Sequence, residues 1–385
     1  MNPKLNSKFP SFVDIEAAAL RRLPKMIRDY IYFGIGNGAG VRRNRSALDK
    51  IELLPRYSVD ADIVSTRCEL FGRTYAAPFG VAPVGIGGLA WPGAQEALAC
   101  AARANEIPFT LGTFGLTDLE TIRDLGGDFS WFQLYRPNQP EVESDLLNRV
   151  ASAGYQVLVV TVDVPYPTRR EHDLRNGFSH RPRLGVSTVM ELLRHPHWSL
   201  SFAVNTLKHG LPRFENLQRY VPAGMGAREG LAFMSNLTMG HITPSVIRGI
   251  REQWLGPLIV KGVLTAEDAV AYREVGADAI VVSNHGGRQL EAAPATADVL
   301  PALRSAVGAE YPLLVDGGVR SGLDICRMLA LGADFVLLGR AFYYAIAAMG
   351  KVGAEHVIAV LKAELDCAMG QLGCSHIGQL RERLA

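Results

Sequence analysis

The sequence predicts an α/β fold: a (β/α)8 TIM barrel with an N-terminal helical cap and a long insertion after the fourth barrel strand. Two observations carry that prediction. From about residue 76, short apolar runs alternate with longer helix-like segments, and there are eight such runs. The runs are rich in Val, Leu, Ile and Phe without polar alternation, as expected of strands buried on both faces. Repeated strand-helix units call for a parallel sheet, and eight of them close a barrel. A doubly wound open sheet is the competing architecture, and the count disfavours it.

The expected strands are Phe79 to Ala82, Phe109 to Gly112, Trp131 to Leu134, Val157 to Val162, Leu258 to Lys261, Ala279 to Ser283, Leu313 to Asp316 and Phe335 to Leu338. Amphipathic stretches between them include Gln95 to Asn105, Val142 to Ala153, Ala266 to Val275 and Leu323 to Leu331. The chain is read as one domain of residues 1–385, with a cap at 1–75, a barrel at 76–350 and a C-terminal helix and tail at 351–385. The insertion, 175–240, is too long for an ordinary loop, and excursions of that length tend to be functional or disordered. In the cap, Gly34, Gly36, Gly38 and Gly40 form a GIGNGAG run that looks like a phosphate loop. It follows no predicted strand and lacks a Gly-Lys-Ser/Thr ending, so it is read as a flexible turn.

Composition excludes several classes. Hydrophobic content of 48% with 20% charged residues fits a globular protein with a sizeable core. A net charge of +2 gives no case for nucleic-acid binding. Five scattered cysteines without metal-type pairing fit free thiols in a reducing cytosol. His195 and His197 flank a proline without a partner cluster, so no metal site is expected. Without a signal-peptide core or a membrane-length apolar run, the expected location is cytoplasmic, at most peripheral on a membrane surface.

Barrel active sites collect at the carboxyl ends of the strands. Strand three ends at Gln133 and Tyr135, strand four at Thr161 and Asp163, and strand five at Lys261. Strand six runs into Ser283-Asn284-His285-Gly286-Gly287-Arg288. Strand seven gives Asp316-Gly317-Gly318 with Arg320 beyond, and strand eight gives Gly339-Arg340. A lone histidine or aspartate is usually a satisfied structural residue, but six consecutive strands delivering polar groups to one mouth are hard to explain as packing. The last two loops sit where barrels bind phosphate through backbone N–H groups, and each carries an arginine. They point to a phosphorylated ligand.

SNHGGRQL (Ser283 to Leu290), WFQLY (Trp131 to Tyr135), TVDVP (Thr161 to Pro165) and RREHDLRNGF (Arg169 to Phe178) together resemble the FMN-dependent family that oxidises L-2-hydroxy acids. LPKMIRDY (Leu23 to Tyr30), VKGV (Val260 to Val263), VDGGVRSG (Val315 to Gly322) and LLGRAF (Leu337 to Phe342) match in the same order. The resemblance implies FMN, with Arg320, Gly318, Gly339 and Arg340 at its phosphate and Asp316 at its ribityl chain. Gln133, Thr161, Ser283 and Lys261 would also contact the cofactor, Lys261 placing positive charge at the pyrimidine edge of the ring. The substrate carboxylate would be held by Arg170, Arg288 and Tyr30. His285 would be the base, Asp163 its partner, and Tyr135 a hydrogen-bond donor to the substrate oxygen. The sequence leaves open whether His285 takes the hydroxyl proton or the α-proton. One departure stands out: relatives carry a serine where this chain has Gly112, so a flavin contact is lost or is supplied by Thr113 or water. Phe114 is expected near the substrate tail.

The electron acceptor is a quinone, a carrier protein or O2. Between Phe178 and Gly230 there are seven Arg/Lys (Arg181, Arg183, Arg194, Lys208, Arg213, Arg219, Arg228) against three Glu (Glu191, Glu215, Glu229), a net +4. With Trp198, Phe202 and several leucines, the segment suits a monotopic membrane contact. LRHPHWSLSF (Leu193 to Phe202) resembles the membrane-associated branch of the family. The alternative is a lid packed on the barrel or on a neighbouring subunit. Gly85, alanine in oxidase members and glycine in dehydrogenases, favours a dehydrogenase. A homotetramer is implied by the resemblance alone.

Overall fold

The computed structural model describes residues 2–59, 64–176, 186–238 and 240–385. A hairpin of β1 (Cys68–Leu70) and β2 (Arg73–Tyr75) precedes β3 (Phe79–Val81), β4 (Phe109–Gly112), β5 (Ser130–Leu134) and β6 (Val157–Thr161). After the insertion come β7 (Leu258–Val263), β8 (Ala279–Val282), β9 (Leu313–Val315) and β10 (Phe335–Leu338). Strands β3 to β10 are parallel and close into a barrel, β10 pairing with both β9 and β3. Each expected barrel strand is present to within two residues at either end, and the open-sheet alternative is ruled out.

The period of two along each strand explains how the barrel builds a site. Phe132, Leu134, Leu158, Val160, Leu258, Val260, Ile280 and Val282 face outward into the core shared with the surrounding helices. Trp131, Val159, Ile259, Val281, Leu314 and Leu337 face inward and pack on one another and on the hairpin residues Cys68, Leu70 and Tyr75. The hairpin plugs the amino-terminal end, where Trp131 Nε1 donates to the Tyr75 hydroxyl at 3.3 Å. Two residues beyond each inward apolar side chain stand Gln133, Thr161, Lys261, Ser283, Asp316 and Gly339. A dry lower layer therefore lies beneath a polar upper one, and that step places the site.

Cap helices Phe12–Arg22, Lys25–Tyr32 and Ala39–Asp49 approach the same mouth. The glycine run is a turn, as expected, but a pinned one. Ile35 N donates to Gly287 O at 3.1 Å, and Asn37 N and Ala39 N donate to the Glu291 carboxylate at 2.7 and 3.1 Å. A Cβ on Gly34 would lie 1.9 Å from Gly287 O, so only glycine allows this approach.

The insertion folds into helices Val186–Arg194, Pro196–His209, Glu215–Gln218 and Ala227–Leu237. One side packs on the barrel: Trp198 is buried, stacks on Phe202 at 4.8 Å and donates to Leu89 O at 2.9 Å. The other side is open, with Leu200, Val204 and Leu207 at 68%, 42% and 87% exposure. Their i, i+4, i+7 spacing makes one apolar stripe along a helix. Arg181 and Arg183 lie outside the described residues, as does the side chain of Arg228. His195 contacts Arg21 O and the Glu191 carboxylate, each at 3.2 Å.

Candidate active site

Strand ends, cap and insertion enclose a cavity of about 1150 Å3. Tyr30, Tyr135, Thr161, Arg170, Lys261, His285, Arg288, Asp316, Gly318, Arg320, Gly339 and Arg340 line it, as the sequence reading expected. Asp163 and Ser283 reach it through His285 and Lys261, and Gln133 is an inward-facing, buried residue of β5.

His285 sits on a left-handed turn. Its φ is +55°, followed by +65° at Gly286 and +75° at Gly287. Such a backbone at a non-glycine residue costs about 1–2 kcal/mol, so surrounding contacts must impose it. His285 N donates to Ser283 Oγ at 3.0 Å, and Gly287 N donates to Asn284 O at 3.0 Å. In the ring, Nδ1 lies 2.8 Å from Asp163 Oδ1, and Nε2 lies 3.3 Å from the Tyr135 hydroxyl. An ionised carboxylate only accepts, so Nδ1 carries the hydrogen and Nε2 the lone pair. Burial pulls the imidazole below its ordinary pKa; Asp163 opposes this, while Lys261 and Arg170 add to it. Burial alone would raise Asp163, but His285 and Lys261 hold it below the usual carboxylate value. The pair therefore rests as neutral imidazole and carboxylate, a base ready to accept a proton.

Lys261 is 3% exposed. Its ammonium lies 2.9 Å from Asp316 Oδ2 and donates to Ser283 Oγ at 2.9 Å, and Ser283 Oγ donates to Asp316 Oδ1 at 2.7 Å. Burial would lower the lysine, but Asp316 and Asp163 outweigh it and hold the ammonium charged. With one donor and two acceptor sites, the Ser283 hydroxyl is fully used by Asp316, Lys261 and His285 N. The Ser283 hydroxyl, expected to contact the cofactor, braces Lys261 and the histidine turn.

Arg170, Arg288, Arg320 and Arg340 crowd the cavity. Burial, then Arg170, depresses Arg288. Burial followed by Arg320 and Arg288 pushes Arg340 down to about 9. Arg288 Nη1 donates to Tyr30 O at 2.5 Å and Phe33 O at 3.1 Å, and its plane covers the Tyr30 ring at 4.7 Å. Arg340 donates to Ile31 O at 2.8 Å and Gly286 O at 2.9 Å. Arg170 Nε and Arg340 Nη2 are buried without a partner among the described residues. Desolvated cations that repel one another favour anions, and this wall presents two addresses for them: Arg170 with Arg288, and Arg320 with Arg340.

The FMN-dependent dehydrogenase family model matches residues 19–385. The chain belongs to the FMN-dependent dehydrogenase family. An L-lactate dehydrogenase of Caulobacter vibrioides (strain NA1000 / CB15N) is 37% identical over 378 residues, covering 97% of each chain. Among solved structures, a monotopic membrane protein, (S)-mandelate dehydrogenase, superposes with TM-score 0.91 at 36% identity, covering 97% of this chain and 98% of that one. A mandelate oxidase mutant with (S)-mandelic acid gives 0.82 at 34%, covering 98% of each.

In this FMN-dependent dehydrogenase, Thr113 is engaged by the chain itself. Its hydroxyl, fully buried, donates to Gln133 O at 2.8 Å and accepts from Tyr135 N at 2.9 Å. A Cβ on Gly112 would lie 3.0 Å from Gln133 Oε1. Phe114 forms an aromatic wall with Tyr135 (5.6 Å) and with Phe214 of the insertion (5.1 Å). Sequence reasoning missed Phe214, and it missed the clamp between Tyr30 and Arg170. Asn176 Nδ2 donates to buried Asp29 at 2.9 Å, Lys25 bridges both, and Phe33 stacks on His172 at 3.8 Å. Asp29 sits in the quoted LPKMIRDY run and Asn176 in RREHDLRNGF, but their pairing had no local signal.

Proposed function

We propose that the protein oxidises an L-2-hydroxy acid of the lactate or mandelate type to the 2-oxo acid, with FMN as cofactor. The observation that carries this reading is an imidazole held by Asp163 at 2.8 Å in the same cavity as the Arg170 and Arg288 pair. The arginines bind the carboxylate with help from Tyr30, and Tyr135 donates to the substrate oxygen. His285 Nε2 takes the proton, from the hydroxyl or from the α-carbon, and Asp163 stabilises the imidazolium that forms. The residues present fit FMN: Gln133 Nε2, Thr161 Oγ1 and Arg340 Nη2 are buried without partners among the described residues. Arg320, Arg340, Gly318 and Gly339 would hold its phosphate, Asp316 its ribityl chain, and Gln133, Thr161 and Lys261 its ring. When bound, FMN accepts the two electrons that leave the substrate.

The same reading sends the electrons to a quinone, with the protein a homotetramer peripheral on the cytoplasmic face of the inner membrane. The open apolar stripe of the insertion and the monotopic mandelate dehydrogenase relative support the membrane contact. Gly85 gives the quinone acceptor less support, because a Cβ there would meet Phe114 at 3.6 Å, an ordinary contact that tolerates alanine. The test is a turnover panel of L-lactate, L-mandelate and glycolate with a quinone analogue, alongside stopped-flow reoxidation in air. Fast reoxidation with peroxide formation would turn the assignment to an oxidase, and no turnover of any 2-hydroxy acid would remove it.

The membrane contact gives a separate expected result. Leu200→Glu combined with Leu207→Glu weakens co-sedimentation with anionic phospholipid vesicles at least about tenfold, since each leucine is worth about 1.5–3 kcal/mol on burial. Turnover with a soluble dye stays at the parent level. Unchanged sedimentation would leave the insertion as a lid only.

A further inference from the structure

We propose that Asn44, a cap residue with no chemistry of its own, is a positioning residue that holds His285 in its reactive geometry and ties it to the glycine loop after β9. Asn44 lies in the helix Ala39–Asp49 and is 2% exposed. Its side chain forms a reciprocal amide pair with Asn284, the residue before His285. Asn44 Nδ2 donates to Asn284 Oδ1 at 2.9 Å, and Asn284 Nδ2 donates to Asn44 Oδ1 at 2.7 Å. Asn284 spends its remaining capacity on the same loop, donating to Pro294 O at 2.9 Å and accepting from Gly287 N at 3.2 Å. An amide has two donors and two acceptor sites, so every one is used. A saturated, buried Asn284 has one orientation. That orientation fixes the left-handed turn on which the imidazole faces Tyr135.

Asn44 also meets the other half of the site. A Cβ on Gly318, whose φ is +84°, would lie 2.9 Å from Asn44 O, and one on Gly317 would lie 3.2 Å from Asn44 Nδ2. The loop bearing the base and the loop proposed to face the phosphate therefore rest on one side chain and its own carbonyl. Arg288 is held independently through Tyr30 O and Phe33 O. Loss of the amide pair should accordingly misplace the base while leaving the carboxylate anchor in position.

This inference rests on the assignment of His285 as base, which His285→Ala tests on its own. The experiment measures kcat and KM per bound flavin for Asn44→Ala, Asn44→Asp, Asn284→Ala and the double alanine variant of the holoenzyme. Asn44→Ala is expected to lower kcat at least tenfold with KM within threefold. Asn44→Asp keeps the acceptor but not the donor and falls between it and the parent. The double variant is no slower than the slower single one, because the pair acts as a unit. If Asn44→Ala fails to fold, the Asn44→Asp kcat against its KM decides. A merely structural role would show as lost flavin and a lower Tm with kcat per flavin within twofold of the parent, or as additive losses in the double variant. Either result overturns the proposal.

Discussion

His285→Ala lowers kcat by about 10²–10⁴-fold, the usual worth of a positioned general base, with flavin still bound. The bound flavin is a necessary part of the result, because nothing proposed to hold FMN passes through the imidazole side chain. Its pH dependence has a definite sign. The base works only when neutral, and burial pulls its pKa below the ordinary 6.5. In the parent, kcat/KM therefore falls as pH drops through a value below 6.5 and is flat just above it. Asp163→Asn removes the neighbour that raises His285, so the acid limb moves to still lower pH. The same change leaves the imidazolium unsupported, so the enzyme becomes slower across its plateau while tolerating more acid. A pH profile of kcat/KM for parent and variant checks both. An acid limb that stays in place in Asp163→Asn would assign it to another group.

The barrel was legible because its strands are short, apolar and separated by amphipathic segments, a signal that local periodicity carries in full. The upper polar layer was legible for the same reason: a polar residue two positions after an inward apolar one marks the strand end. What escaped were contacts between segments far apart in the chain. Asn44 and Asn284 are joined across 240 residues, and Asp29 and Asn176 across 147. An asparagine in a helix looks the same whether it faces solvent or an amide partner, so no pattern could distinguish them. The bracing bonds of Ser283 escaped for a related reason. Its place at the strand end suggested a ligand contact, while its bonds to Lys261, Asp316 and the His285 backbone had no local signal. The insertion was read as either membrane contact or lid because composition cannot assign faces. The fold shows that Trp198 packs inward while Leu200 and Leu207 do not, so one segment both lines the cavity and carries an open apolar stripe.

Lys261→Met is the variant expected to damage both fold and catalysis, and a second substitution separates the two. In the parent, the ammonium neutralises Asp316, which is 7% exposed, at 2.9 Å. Removing one partner of a buried pair costs about 3–5 kcal/mol, because the remaining charge is left unpaired in a dry site. Thermal denaturation should show this as a drop of several degrees in Tm. Adding Asp316→Asn removes the orphaned charge, and the double variant regains most of that stability. Its turnover does not return. Under the proposed assignment Lys261 also supplies positive charge where negative charge arrives during the reaction, and losing such a preorganised group costs about 10²–10³-fold in kcat. Stability recovered without rate, while the single Asp316→Asn variant keeps its rate per bound flavin, would place the lysine in the chemistry. If rate and stability recover together in the double variant, Lys261 serves only to neutralise Asp316, and the electrostatic role proposed for it is wrong.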